Sequence, residues 1–501
     1  MFNGLPCEFI LNSSLPRLAI VGGGFTGATV AVQAARRSPI ALDIVIIEPN
    51  AELGRGLPYR GSDPDHRVNG PIATHSIDPL DTSHVQRWLE KTHLLAQDPS
   101  AHCSFGTFLR RGDYGRYLHE AVQEFASRNE SGSTIRHQRS RVDQIHLTAN
   151  QVALNLQTGE SLLADSVVLA FGNPAARVPP MLQDLTEHPS VISSPLAGDG
   201  LQALCQRLTP GSQVAVMGTS LTAADVISTL LRQSSGARIT AFSRRGLVPH
   251  RQRPPDAKAQ QNLPQTWLVD RINGQVPSYL DPGRGSAWTV RHLCAAMRQR
   301  IKSLTSQGMP WQQGFDEARD VVWQFWPLLG HAEKQRFFRR LRVWYDVARF
   351  RLPPQTAESL DKAVAAGRLS FCARSLVNVK ALNNGRLELQ FLRQGQAIEQ
   401  EFDALINCTG FDLGGDVDPL SLAGRMVQSG LLVRDQSGVG FRVDQNCRVM
   451  GFSGQSSPRI RLVGPATAGV FGDSLGAMFI AVQAHRMLPS LFDDLGLMPY
   501  S

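Results

Sequence analysis

The stretch RLAIVGGGFTGATVAVQAARR, residues 17–37, decides the fold. It starts with a short apolar strand pattern and turns through glycines into a helix pattern. Gly22, Gly24 and Gly27 form the pattern GxGxxG. The first glycine permits a tight turn, the second lets the backbone approach a pyrophosphate, and the third lets the helix lie close to the strand. Because the N-terminus of that helix presents free N–H groups, the stretch predicts a phosphate-binding strand, turn and helix.

The segment ALDIVIIEP, residues 41–49, strengthens this interpretation. It is an apolar run that ends at Glu48. At the tip of the second strand of such a unit, a carboxylate accepts hydrogen bonds from the ribose hydroxyls of an adenosine. Glu48 is therefore a candidate cofactor-binding residue.

The same pattern recurs at residues 213–245, as the strand QVAVMG, the turn and helix GTSLTAADVISTLLRQ and the strand ARITAFSRR. Gly218, Ser220 and Ala223 occupy the three glycine positions, and Ser220 adds a Cβ near the pyrophosphate. The chain therefore carries two dinucleotide-binding motifs.

The second motif differs from the first at its strand tip. Arg244 follows Ala223 at the same distance in sequence as Glu48 follows Gly27, and Arg245 comes directly after it. Arginine at this position is how such folds bind a 2′-phosphate, so Arg244 and Arg245 predict NADPH as the second cofactor.

Two further segments predict strand ends beside bound nucleotide. Residues 165–179 and 402–412 are β-rich runs that end in small-residue turns, at Gly172 and Gly410. Their apolar runs show no alternation, which is typical of strands in parallel sheets. Because the two segments flank the second motif, we expect one domain to be interrupted by another.

Several stretches resemble the bacterial FAD-NAD(P)-binding protein family, whose members are two-dinucleotide-binding flavoproteins similar to flavin-dependent and N-hydroxylating monooxygenases. The matching segments are GGGFTG (22–27), LGRGLPY (53–59), HRVNGP (66–71), GDYGRYL (112–118), GTSLTAAD (218–225), SRRGLVP (243–249) and RVWYDVARFRLPP (342–354). The resemblance implies FAD on the first motif and NADPH on the second. Some members of this group oxidise the amine of amino acids such as aspartate.

The expected fold class is α/β, with two Rossmann-like dinucleotide-binding domains, the NADP domain inserted into the FAD domain, and a helical insertion. The expected FAD domain comprises residues 1–185 and 373–501. The expected NADPH domain comprises residues 186–372, with the helical insertion at about 287–350.

The resemblance also implies roles near the flavin. The turn and helix after IRLVG would pass the flavin, which makes Gly464 and Asp473 cofactor-binding candidates, and the helix is expected to start at about Ser474. Asp473 has the alternative role of an N-cap. Arg55 could neutralise an FAD phosphate.

The sequence also contains candidates for catalytic residues. His66 and Asn69 could approach the flavin ring, although a lone histidine is more often structural. Arg349 and Arg351 alternate in sequence, so an extended backbone would put both on one face to hold a substrate carboxylate. The alternative is that both are salt-bridged surface residues.

Composition narrows the functional class. The net charge of +8 suits anionic partners, yet no nucleic-acid motif is present, so we expect no nucleic-acid partner. The seven cysteines include no CxxC pair, which argues against a disulfide framework, a zinc site and a disulfide-reductase route. No apolar run is long enough for a membrane span and no signal peptide is evident, so we expect no membrane partner and a cytoplasmic location.

We therefore expect a flavoprotein oxidoreductase with FAD and NADPH as cofactors. Its expected function is that of an NADPH-using monooxygenase acting with dioxygen on the nitrogen of a small amino acid or amine in a biosynthetic pathway. The alternatives are an NADPH-dependent flavin oxidoreductase without oxygen insertion and a non-catalytic redox sensor. The substrate and the oligomeric state stay open.

Overall fold

The computed structural model describes residues 15–174, 176–234, 236–254, 263–393, 396–411 and 414–497. The first 14 residues, in which we expect no signal peptide, lie outside the described residues.

The strands of the described residues are short and are spread along the whole chain. In chain order they are β1 (Arg17–Val21), β2 (Asp43–Ile47), β3 (His102–Cys103), β4 (Gly106–Thr107), β5 (Thr134–Gln138), β6 (Val142–Leu147), β7 (Val152–Leu156), β8 (Ser161–Ala164), β9 (Ser166–Leu169), β10 (Val191–Ile192), β11 (Gln213–Met217), β12 (Arg238–Ser243), β13 (Leu369–Ala373), β14 (Ser375–Ala381), β15 (Leu387–Arg393), β16 (Gln396–Phe402), β17 (Ala404–Asn407), β18 (Arg448–Met450) and β19 (Ser456–Leu462).

The α-helices alternate with the strands except in one helical stretch in the second half. In chain order they are α1 (Phe25–Arg37), α2 (His84–Thr92), α3 (Leu94–Gln97), α4 (Arg111–Ser127), α5 (Gly200–Arg207), α6 (Leu221–Gln233), α7 (Trp267–Ile272), α8 (Val290–Ser306), α9 (Gln312–Asp320), α10 (Val322–Phe325), α11 (His331–Arg336), α12 (Arg342–Arg349), α13 (Pro354–Ala365), α14 (Leu422–Gln428), α15 (Ala468–Phe471) and α16 (Ala477–Asp494). A π-helical segment, Phe337–Leu341, joins α11 to α12.

The first sheet has the strand order β18-β19-β9-β1-β2-β5. Its strands are parallel except for β18, which pairs with β19 in the antiparallel sense. The apolar residues of β1 and β2 are buried because helices cover the sheet. Helix α1, rich in alanine and valine, is buried along most of its length between the sheet and the helices α4 and α16.

The second sheet has the order β10-β17-β11-β12-β13 and is parallel throughout. It lies in the chain between β9 and β19 of the first sheet, so it interrupts the first sheet in sequence. Because β17 pairs with β11, the second sheet continues to Asn407. The predicted boundary between residues 372 and 373 is therefore too early for this sheet.

The two sheets repeat one arrangement. The order β9-β1-β2-β5 in the first corresponds to β17-β11-β12-β13 in the second. In each case a three-stranded antiparallel sheet, β6-β7-β8 or β14-β15-β16, comes before the strand that returns to the centre. The two predicted motifs thus begin two similar modules.

The helices α7 to α12 follow β12 in the chain, but residues of α7 to α10 join the core of the first sheet. Trp323 Nε1 donates to the backbone oxygen of Asp473 at 2.7 Å, and Trp326 Nε1 donates to that of Gly469 at 2.9 Å. These helices start at Trp267, earlier than the predicted insertion at about 287. They pack against the C-terminal part of the first module although the sequence prediction placed them in the NADPH domain.

The last helix also differs from the prediction. It starts at Ala477, with Gly476 as its N-cap residue, and not at about Ser474. Among the described residues, no helix is both long and apolar enough to cross a membrane.

Candidate functional site

The three glycines of the first motif have two different roles. Gly22 and Gly27 leave room for neighbouring backbone, and Gly24 lies beside a cavity. Gly22 has a φ of +103°, and a Cβ there would lie 2.4 Å from the backbone oxygen of Ala170. A Cβ on Gly27 would lie 1.9 Å from the backbone oxygen of Gly22, so the helix can lie this close only with glycine. Among the described residues, a Cβ on Gly24 would meet only the backbone of Gly56, with Cα at 3.4 Å and N at 3.8 Å, and Gly24 lines a cavity.

That first cavity has a volume of about 590 Å³ and lies at the carboxyl ends of β1 and β2. Its lining includes Gly22, Gly24, Glu48, Arg55, Gly172 and Asn173. The Glu48 carboxylate accepts hydrogen bonds from the backbone N–H groups of Gly23, at 2.9 Å, and Asn50, at 3.0 Å. The motif, the strand-tip carboxylate and the turn at Gly172, with a φ of +70°, therefore meet around one space.

Arg55 provides a test of whether this cavity fits an anionic group. Its Nε is buried and has no hydrogen-bond partner among the residues that the structure describes, although its NH2 lies 3.2 Å from Glu52. A buried donor without a partner is costly, so the site favours a ligand with acceptor oxygens. The residues present fit the pyrophosphate and ribose of a bound FAD.

The second motif repeats the first turn. Gly218 has a φ of +122°, and a Cβ there would lie 2.2 Å from the backbone oxygen of Cys408, the counterpart of Ala170. Ser220 lies at the N-cap of α6 and lines a second cavity. Ala223, in the place of Gly27, is fully buried.

The strand register corrects the predicted equivalence of Glu48 and Arg244. The N–H of Gly22 bonds to the oxygen of Ile47, and the N–H of Gly218 bonds to the oxygen of Phe242. The residue after Ile47 is Glu48, but the residue after Phe242 is Ser243. The prediction was one residue out because the connection from α6 to β12 is one residue shorter than that from α1 to β2.

Arg244 and Arg245 nevertheless stand at the tip of β12, as the prediction required. Both are exposed, and neither lines the two cavities. The guanidinium of Arg245 lies 6.0 Å from the ring centre of Trp344 on α12. Arg244 has no hydrogen-bond or ion-pair partner among the described residues, so its five donors are available to an anion.

The second cavity, of about 490 Å³, adjoins the first. The residues that line both are Leu57, Pro58, Tyr59, Asn173, Phe411, Leu475 and Ala477. Gly410, with a φ of +84°, and Asn69 also line the second cavity. It is rich in arginine, because Arg111, Arg253, Arg271, Arg319, Arg342, Arg349 and Arg351 all contribute to its wall.

Arg349 and Arg351 both line this cavity, but each already has a carboxylate partner. Arg349 Nε lies 2.8 Å from Asp473 Oδ2. Arg351 forms a two-bond pair with Asp316, at 2.9 and 3.2 Å. Both residues therefore form salt bridges, as the alternative prediction stated. The pairs differ from that prediction in being buried.

His75 and Asp346 are two of the titratable groups of the second cavity whose pKa values are shifted. Burial, together with the nearby charges of Arg349 and Arg111, lowers the pKa of His75 to about 4, against the effect of its hydrogen bond to the oxygen of Pro71. Burial raises the pKa of Asp346 to about 6, against the effect of Arg342. His75 is therefore neutral at pH 7, whereas Asp346 titrates near it.

His66 does not approach the first cavity as predicted. Its Nε2 lies 3.1 Å from the oxygen of Asp225 and 2.9 Å from Thr229 Oγ1, both on α6. Arg111 also contacts Asp225, at 3.0 Å. His66 thus joins the first module to the nucleotide-facing helix of the second, because its loop runs along that helix.

The candidates near the C-terminus also lie elsewhere than predicted. Gly464 has a φ of +93° and donates its N–H to Gln483, while it is the next residue, Pro465, that lines the first cavity. Asp473 is not the N-cap of α16, since its carboxylate pairs with Arg349 and the helix starts later. Neither residue lines the two cavities.

Sequence reasoning missed His75, Asp346 and Arg111. The sequence offered one signal, because these residues lie in or beside the segments that resemble the flavoprotein family. Asp346 lies within RVWYDVARFRLPP and Arg111 directly precedes GDYGRYL. Nothing in their local sequence indicates that the three meet in one cavity, because they come from distant parts of the chain.

Two family models match the sequence. The model described as FAD-NAD(P)-binding matches residues 19–174, and the model described as L-lysine 6-monooxygenase/L-ornithine 5-monooxygenase matches residues 103–254. No curated protein matches the sequence significantly.

Several solved structures are similar to this chain over nearly all of its length. An ornithine N-hydroxylase of Kutzneria sp. 744 has a TM-score of 0.62 at 17% identity, with 96% of this chain and 99% of that chain covered. A cadaverine monooxygenase of Erwinia amylovora has a TM-score of 0.63 at 14% identity, with coverages of 96% and 95%. An L-lysine 6-monooxygenase of Pseudomonas syringae has a TM-score of 0.61 at 15% identity, with coverages of 96% and 100%.

The structural likeness confirms the predicted α/β fold with two dinucleotide-binding modules. The two family models confirm the predicted relation to FAD-NAD(P)-binding flavoproteins and N-hydroxylating monooxygenases. They also agree with the predicted flavin-dependent oxidoreductase that binds FAD and NAD(P).

Proposed function

We propose that this chain, a flavoprotein with two dinucleotide-binding modules, is an NADPH-dependent monooxygenase that hydroxylates or oxidises the amine nitrogen of a small amino acid or amine. One observation carries the proposal: the cavity of the first motif and the arginine-rich second cavity share a wall that includes Tyr59, Asn173 and Phe411. Two ligands seated on the two motifs would therefore approach each other there. The lysine, ornithine and cadaverine monooxygenases with the same fold support the reaction class.

The first module would hold FAD through its own residues. Gly22 would permit the tight turn, Gly24 would admit the pyrophosphate and Glu48 would accept from the ribose. The Nε of Arg55 would donate to a phosphate oxygen. Gly172 supports the turn beside it. Bound FAD would supply the activation of dioxygen after reduction by NADPH.

The second module would hold NADPH. Gly218 and Ser220 lie at the phosphate-binding turn, and Arg244 and Arg245 at the tip of β12 would bind the 2′-phosphate. The N–H and hydroxyl of Ser243 stand where the first module has the ribose carboxylate. A neutral serine there removes the repulsion that a carboxylate would exert on a 2′-phosphate.

The second cavity would receive the substrate. Its arginines would attract a carboxylate, and the buried His75 on its wall supports a space that is partly shielded from bulk water. Among the described cysteines only Cys408 lines either cavity, and burial raises the pKa of its thiol. A single buried thiol cannot form the redox pair of a disulfide reductase, which favours oxygen as the electron acceptor.

The domain assignment is also part of the proposal. We assign residues 15–185 and the segment from Cys408 onward to the FAD module, and residues 186–407 to the NADPH module, with α7 to α12 packed on the former. A cytoplasmic location stays a prediction.

The test is turnover by the purified holoenzyme. FAD-loaded protein and NADPH are incubated with L-lysine, L-ornithine, cadaverine or L-aspartate under ¹⁸O₂, and products are identified by mass spectrometry. A product with one ¹⁸O on nitrogen, formed with oxygen uptake above the substrate-free rate, supports the proposal. NADPH oxidation that gives peroxide alone with every amine contradicts it and favours a flavin oxidoreductase without oxygen insertion.

A further inference from the structure

Asp346 is an acidic side chain on the wall of the arginine-rich second cavity. It lies on α12, and its side chain remains 29% exposed toward that space. The π-helical segment Phe337–Leu341 directly precedes α12. Such segments are rare and frequently occur at functional sites.

The charged groups that face Asp346 come from two elements. On its own helix, Arg342 Nε donates to Asp346 Oδ2 at 3.2 Å, and Arg349 adds a second positive charge nearby. In the segment before α16, Asp473 adds a negative charge. The hydroxyl of the preceding residue, Tyr345, is buried, which raises the pKa of its phenol and keeps it neutral.

The ion pair with Arg342 leaves most of the bonding capacity of Asp346 unused. A carboxylate has about four acceptor sites, and Arg342 occupies one of them. Asp316, another carboxylate of this wall, is 9% exposed and is already paired with Arg319 and Arg351. Asp225 is 6% exposed and paired with Arg111. Asp346 is thus the carboxylate of this wall that is best placed to meet a cationic group of a ligand.

We propose that Asp346 binds the ammonium group of the amine substrate and accepts its proton, so that the substrate nitrogen becomes neutral before it is oxygenated. This inference rests on the proposed function. An amine nitrogen can form a bond to oxygen only through its lone pair, which an ammonium group lacks.

The proton transfer is balanced within the site. One N–H bond of the ammonium group breaks, its electron pair stays on nitrogen, and an O–H bond forms on Asp346. Positive charges of the surrounding arginines lower the pKa of the ammonium group and that of Asp346 alike, so they do not set the direction of the transfer. Expulsion of water by the bound ligand favours the transfer, since burial disfavours both ions of the pair.

The first experiment measures the number of protons released when the substrate binds, and it does not depend on turnover. Calorimetric titrations of oxidised, FAD-loaded protein with L-lysine, L-ornithine, cadaverine and L-aspartate are run at pH 7.5 in two buffers of different ionisation heat. Wild-type protein should show the same binding heat in both buffers, because the proton stays in the site. D346N should bind the neutral amine, release about one proton and lose affinity by roughly 100-fold or more.

The second experiment is the pH profile of kcat/KM with the amine that is turned over. In the wild type kcat/KM should fall below about pH 6, as Asp346 becomes protonated. In D346N that limb should disappear, and kcat/KM should rise steadily toward the pKa of the free amine. D346E should retain the limb. The control E358Q removes an exposed carboxylate that also has a basic partner four residues away, and it should match the wild type.

The outcomes separate this inference from the proposed function. If wild-type protein oxygenates an amine while D346N keeps the wild-type proton count and pH profile, the inference is wrong and the proposed function stands. If binding shows the expected proton pattern but no oxygenated product forms, the proposed function alone is wrong. If none of the four amines binds, both are wrong.

Discussion

Arg349 Nε lies 2.8 Å from Asp473 Oδ2, and the two side chains are 9% and 3% exposed. The pair joins the end of α12 to the segment before α16, so it connects the helical stretch to the C-terminal part of the first module. Removing one partner of such a pair leaves the other charge buried without compensation.

We therefore expect D473N to lower the free energy of unfolding by about 3–5 kcal/mol. Urea unfolding measures this change. E401Q, which removes one of the two carboxylate partners of the more exposed Arg386, is the control and should cost less than about 1 kcal/mol. Equal effects of the two substitutions would contradict a buried, stabilising role for Arg349 and Asp473.

Substitutions at two glycines of the first motif should separate an effect on folding from an effect on cofactor binding. A Cβ on Gly27 would lie 1.9 Å from a backbone oxygen, so G27A should destabilise the fold by about 1–3 kcal/mol or more. Among the described residues, a Cβ on Gly24 would meet only the backbone of Gly56, and Gly24 lines the cavity. G24A should keep the thermal midpoint of the FAD-free protein and lose FAD content, measured by flavin absorbance. Full FAD content in G24A would sink the assignment of the first cavity.

Coenzyme choice tests the tip of β12. R244S should weaken NADPH binding by about 1.5–3 kcal/mol, or roughly 10- to 150-fold, because a charge-assisted bond to the 2′-phosphate is lost. NADH binding should change little. R238S, at the opposite end of the same strand, is the control and should leave both affinities unchanged. The measurement is the dissociation constant of each coenzyme, and equal losses for both would refute the role of Arg244.

His75 predicts a pH dependence of stability. An unfolded histidine takes up a proton near pH 6.5, whereas folded His75 does so only near pH 4, so acidification in this window favours the unfolded chain. Between pH 7.5 and pH 5 the wild type should therefore lose about 2 kcal/mol of its free energy of unfolding. H75Q should not show this loss. Urea unfolding at the two pH values tests this. H146Q, at an exposed histidine, should behave as the wild type does.

The two nucleotide motifs could be located from sequence because each is local. Gly22, Gly24 and Gly27 lie within one strand, turn and helix, and their spacing follows from backbone geometry. The order of the motifs and the apolar runs around Gly172 and Gly410 likewise indicated that the second sheet interrupts the first. Counting residues from the glycine motif made Arg244 the equivalent of Glu48, which is wrong by one residue. The strand register depends on the length of the loop between helix and strand.

The sequence by itself determined the α/β class, the two motifs and the acidic and basic strand tips, since these depend on neighbours in the chain. Only the tertiary structure decided that His66 contacts α6, that Asp473 pairs with Arg349, and that His75 and Asp346 share one cavity. Burial and charge around a side chain depend on residues hundreds of positions away, and pairing between such residues leaves no periodic pattern in the sequence.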